Sequence, residues 1–132
     1  MRRTLGTLAL LLTIAGCGSD TAVEGSPDPP SAEVILVSGS AGGGRVESEP
    51  TDVSDDADLD AYVAQFGDAL AADVSAAVRK VDGDVVLAQV VSVGCDVPPG
   101  ASLQDGVIVA EKVAKPLQEC FAPVTTVGVA AG

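Results

Sequence analysis

The chain has 132 residues, with 19 acidic and 7 basic side chains, a net charge of −12 and 2% aromatic residues. A surface this acidic repels nucleic acid and anionic headgroups and favours cationic partners, and the length suits one small domain. There is no His, which excludes Ser-His-Asp and Cys-His nucleophilic catalysis and leaves no His–Cys metal set.

The N-terminus has three zones: Arg2 and Arg3, an apolar run from Leu5 to Ile14, and small residues leading into Cys17. That is the layout of a secretory signal peptide. The run is about ten residues, and a membrane-spanning helix needs about twenty. The junction Ile14-Ala15-Gly16-Cys17 resembles the lipobox of bacterial lipoproteins: an aliphatic residue, two small residues and a cysteine. The resemblance covers the signal peptide and its cleavage site. It implies a diacylglyceryl thioether on the Cys17 sulfur, cleavage before Cys17, and a location at the cell membrane facing outside the cytoplasm. Such a lipid gives a stable anchor, at about 0.8 kcal/mol per buried CH₂. Usage rich in Ala, Val, Gly and Asp and poor in Lys is that of a high-GC genome, and with the lipobox it points to an actinobacterium or a similar organism.

The expected organisation is a signal peptide over 1–16, a lipidated cysteine and flexible tether over 17–32, and an extracytoplasmic domain over 33–132. The tether is rich in Ser, Asp, Gly and Pro, and would span roughly 20 Å. After cleavage, nineteen acidic residues face five basic ones, Arg45, Arg79, Lys80, Lys112 and Lys115, for a net charge of −14.

Glu33 to Val37 is a short β-rich run and the first expected strand. The segment from Ser38 to Arg45 is glycine-rich. It lacks the Gly-Lys-Ser/Thr of a phosphate loop, because Arg45 and Val46 stand in those places, and it reads as a flexible connection. Residues 46–57 are acidic and irregular. A helix then starts near Asp56 or Asp58, with Leu59, Tyr62, Val63, Phe66 and Leu70 on one stripe. The stripe continues through Val74, Ala77, Val78 and Val81. The spacing allows one helix to about Lys80, or two that meet near Gly67.

Further strands are expected at 84–94, 106–113 and 121–130, with a turn at Pro98-Pro99-Gly100. The order β-α-β-β-β predicts an α+β domain: an antiparallel sheet of about four strands with one long or two short helices packed on it. Once Cys17 takes the lipid, Cys95 and Cys120 are the remaining pair in an oxidising compartment, and a disulfide between them is the expectation. A three-strand meander would put those cysteines at opposite ends of the sheet. Strands of eight to ten residues are roughly 25–30 Å long, whereas a disulfide needs Cα atoms within about 7 Å. Strands 84–94 and 121–130 are therefore expected to run antiparallel, with the intervening strand elsewhere.

Candidate chemistry is sparse. Asp56, Asp58 and Asp60 have the first, third and fifth spacing of a calcium loop, but Ala61 and Gly67 occupy the positions of its Gly and Glu. The acidic cluster Asp52, Asp55, Asp56, Asp58 and Asp60 is the weak candidate for calcium, set against an acidic helix start. No catalytic residue and no cofactor is expected. The leading expectation is a non-enzymatic, membrane-anchored domain that binds or regulates an envelope protein, with loops 38–57 and 96–105 as contact regions. A solute- or cation-binding lipoprotein and an envelope spacer are the alternatives.

Overall fold

The computed structural model describes residues 32–132. The signal peptide, Cys17 and all but the last residue of the tether lie outside the described residues. The order is β1 (Val34–Ser40), β2 (Thr51–Asp52), α1 (Asp56–Val63), α2 (Asp68–Val78), β3 (Val86–Gly94), β4 (Ala101–Gln104), β5 (Val107–Ala110) and β6 (Val124–Ala131). This is an α+β fold with a four-stranded antiparallel sheet, order β1-β6-β3-β2, and a separate β4–β5 hairpin.

The two valine-rich strands, β3 and β6, take the centre of the sheet, where both faces are covered. On one face, Val86, Ala88 and Val90 of β3 and Val127 and Val129 of β6 meet the helical stripe of Leu59, Tyr62, Phe66, Leu70, Val74, Ala77 and Val78. Burying each valine or leucine contributes about 1.5–3 kcal/mol. On the other face lies the β4–β5 hairpin. It is seated where Gly128 has no side chain, since a Cβ there would stand 2.7 Å from Ile108 Cγ2. The Ile108 N–H donates to Gln89 Oε1 at 2.9 Å.

The antiparallel β3–β6 pairing, Gly94 opposite Val124, brings Cys95 and Cys120 to the same end of the sheet. They are bonded, with Cα atoms 5.4 Å apart. The intervening strand has left the sheet, as the disulfide argument requires. It does so by folding on itself: Asp105 and Gly106 have φ of 50° and 79°, the left-handed pair that a tight two-residue hairpin turn demands.

Three expectations need correction. The segment 96–105 is not a loop throughout, because Ala101–Gln104 forms β4. Likewise 38–57 contains the end of β1 and all of β2. The glycine-rich segment is not a flexible connection. Gly43 forms a bridge with Phe66, the Gly67 N–H donates to Gly42 C=O at 2.9 Å, and Thr125 Oγ1 donates to Gly43 C=O at 2.6 Å. Gly43 and Gly44 both have φ of +78°, and a Cβ at Gly44 would lie 2.7 Å from the Phe66 ring. Glycine is needed here for close approach and for its left-handed backbone. The contact also decides the helix question: two helices form, since Gly67 turns its N–H to Gly42 instead of continuing the first helix.

Candidate functional site

Beyond β3 the chain leaves the core. The β3–β6 register shifts between Val90 and Ser92, a bulge that bends the end of β3. From Glu111 to Phe121 nearly every residue is exposed. The disulfide fixes this segment at one end, and the Leu117 N–H donates to the Asp96 carboxylate at 2.7 Å near it. Between the segment and the end of β3 runs a groove of about 440 Å³, with Val91, Val93, Pro98, Val113, Pro116 and Leu117 among its lining. Ser92 also lines it, and its Oγ is buried with no hydrogen-bond partner.

The lining mixes these apolar side chains with the carboxylates of Asp96 and Glu111, and apolar residues of the same part of the chain are exposed. Leu117 is 63% exposed and Phe121 is fully exposed. Val93, Val97 and Val109 are also exposed. Phe121 was expected to begin the last strand, but β6 starts at Val124 and the ring projects beside the disulfide. The other two aromatic residues with large apolar surface, Tyr62 and Phe66, stack edge-on in the core with centroids 5.5 Å apart. An exposed phenylalanine among exposed valines and a leucine is the composition of a contact surface.

A second concavity, about 430 Å³, is lined by Gly44, Arg45, Val46, Glu47 and Gln65. Glu47, which no sequence pattern singled out, is a junction of the fold. Its Oε2 accepts from the Tyr62 hydroxyl at 3.0 Å and from the Val90 N–H at 2.8 Å. Its backbone N–H donates to Val90 C=O, and its C=O accepts from Gln89 Nε2. Since Gln89 also holds the hairpin, Glu47 joins helix α1, the edge of β3 and the β4–β5 layer.

Burial, then the adjacent Glu47 charge and the hydrogen bond to it, push the Tyr62 phenol far above its ordinary value. Ionising it would set a second negative charge against Glu47. The folded pKa is raised, so this contribution to stability is intact below the ordinary phenol pKa of about 10 and is lost as pH rises beyond it. Tyr62 is the only tyrosine, which makes the test clean. Tyrosinate absorbance is expected to appear only together with alkaline unfolding, followed by circular dichroism. Titration of Tyr62 in a protein that stays folded would contradict the buried contact.

The aspartate cluster is dispersed. Asp52 lies in β2, Asp55 stands at the N-cap position of α1 without a side-chain capping hydrogen bond, Asp56 and Asp58 are in its first turn, and Asp60 follows. Hydrogen bonds from the Ser54 hydroxyl and N–H hold the Asp52 carboxyl below its usual range. Among the described residues, no three His, Cys, Asp or Glu side chains are grouped to hold a metal ion. Of the two expected contact loops, 38–57 is folded against the helices, and 96–105 supplies Asp96 and Pro98 to the groove. The sequence expects strand through Val113 and again from Phe121, but β5 ends at Ala110 and β6 starts at Val124, which leaves 111–121 an exposed segment between them. The chain matches no protein-family model, no curated protein and no solved structure.

Proposed function

We propose that the protein is a lipid-anchored, non-enzymatic binding domain that engages another envelope protein through the apolar surface around the Cys95–Cys120 disulfide. The observation that carries this reading is the fully exposed Phe121 next to the Cys95–Cys120 disulfide, with Leu117 of the same segment also exposed. Apolar side chains held in water on a fixed backbone favour a protein partner, because covering them releases hydration without ordering a flexible loop. The anchor rests on the lipobox at Cys17, which places the domain at the outer face of the cell membrane. No helix among the described residues is long and apolar enough to cross a membrane, so the lipid is the membrane attachment in this reading.

A photo-crosslinking residue in place of Phe121, in the producing cells, tests the surface. One discrete adduct with an envelope protein is expected. Leu117→Ser in the same chain is expected to reduce it about tenfold, as for a residue at the centre of a contact. The adduct's intact mass should include a diacylglyceryl group on Cys17. Equal labelling from a crosslinker placed at Asp105, on the distant hairpin turn, would overturn the assignment of this face. A bare-chain mass would overturn the anchor.

A further inference from the structure

The two edges of the main sheet are finished differently. At the β2 edge, the outward groups of β3 are engaged from Val86 to Val90, up to the bulge. Val86 N–H donates to Ser54 Oγ and Val86 C=O accepts from Val53 N–H. Ala88 pairs with Thr51. Val90 N–H donates to the Glu47 carboxylate and Val90 C=O accepts from the Glu47 N–H. Side chains complete this edge where the strand itself is only two residues long.

The β1 edge has no such closure. Ala41 N–H donates to Pro123 C=O at 2.8 Å, in register with the β1–β6 ladder. Antiparallel pairs alternate between bonded and non-bonded, so Ile35, Val37 and Gly39 bond to β6. Val34, Leu36, Ser38 and Ser40 then turn their N–H and C=O groups away from it. The 2.8 Å contact between Ser38 Oγ and Thr126 Oγ1 fits, because side chains approach most closely at non-bonded pairs. Among the described residues, no group bonds to these four N–H and four C=O groups.

Exposed edges are usually protected by Pro, Lys, a bulge or an inward charge. Val34–Ser40 has none of these, and its register with β6 is unbroken. The strand lies between α2 on one face and β4 on the other, which gives an incoming strand two flanking walls. We infer that this edge is a docking site for an extended, cationic polypeptide segment, which adds to the sheet beside β1. The extended form is set by the row of open backbone groups. The charge is set by the protein's −12 and by Glu33 and Asp82, which with Lys80 line a cleft of about 320 Å³ at the start of β1. The same charge opposes pairing with a second copy. This inference does not depend on the Phe121 surface.

The test uses the full chain in detergent, with an end-blocked nonapeptide of alternating lysine and valine as probe. Binding is expected to slow hydrogen exchange about tenfold or more at the amides of Val34, Leu36, Ser38 and Ser40. Ile35 and Val37, already bonded to β6, should change little. The same peptide N-methylated at alternate amides keeps its charge but loses its ladder, and is expected to bind at least about tenfold more weakly. Equal binding of both peptides, or protection confined to other segments, would overturn the inference. Concentration-dependent dimers that protect these four amides without peptide would give the edge to a second copy and overturn the cationic occupant.

Discussion

Replacing both cysteines, Cys95→Ser with Cys120→Ser, is expected to lower folding stability by about 3 kcal/mol. The bond closes a loop of 25 residues, and in the chain-entropy picture that loop restricts the unfolded chain by this amount. For a domain of this size the loss moves a urea midpoint down by about 2 M. The effect should be uneven in space. The β3–β6 ladder is continuous on both sides of the bulge and stands without the disulfide. The segment 96–120 has fewer ties to the sheet: the Ile108 seat on Gly128 with its hydrogen bond to Gln89, while the Leu117–Asp96 contact is internal to it. Hydrogen exchange in 96–120 should therefore rise before that of β3 and β6. A midpoint unchanged from the native protein would mean that the loop is ordered by other contacts. The groove lined by Cys95 and Leu117 would then not owe its shape to the disulfide.

Much of this architecture is legible in the sequence, for local reasons. The valine alternation of β3 and β6 marks buried strands, and the 3.6-residue stripe from Leu59 to Val78 marks the helices. The cysteine positions select the antiparallel β3–β6 pairing from elementary distances. What escapes is set by contacts distant in the chain. The helical stripe runs in phase across the break, so nothing near Gly67 announces that Gly42 takes its N–H. Strand β2 exists only because Leu87 and Ala88 offer it a partner. Strand β4, Ala101-Ser102-Leu103-Gln104, has weak strand composition, although Asp105-Gly106 is a hairpin signal that could have located it. Phe121 reads as the start of a strand, but β6 begins at Val124 and leaves it exposed next to the disulfide. Glu47 is one acid among Glu47, Glu49 and Asp52, and no local feature separates the one that faces inward from those in solvent.

That inward-facing acid carries the second large effect. Glu47→Ala is expected to destabilise the domain by about 2–3 kcal/mol in urea unfolding. The change removes the acceptor for the Tyr62 hydroxyl and the Val90 N–H together. A buried donor left without a partner costs about 1–3 kcal/mol, and the upper part of the sum is discounted because Glu47 is only half-buried. Glu47→Gln keeps one carbonyl oxygen at the same reach, so it should lose about half as much or less. The two variants read two properties of the carboxylate. If the carboxylate acts as a hydrogen-bond acceptor that ties helix α1 to the sheet edge, glutamine rescues most of the loss. Glutamine also removes the negative charge that, after burial, raises the Tyr62 phenol, so the phenol is expected to titrate closer to its ordinary value in this variant. Stability within about 0.5 kcal/mol of native for Glu47→Ala would remove Glu47 from the set of residues that hold the layers together. The second concavity would then be lined by a carboxylate with no structural duty.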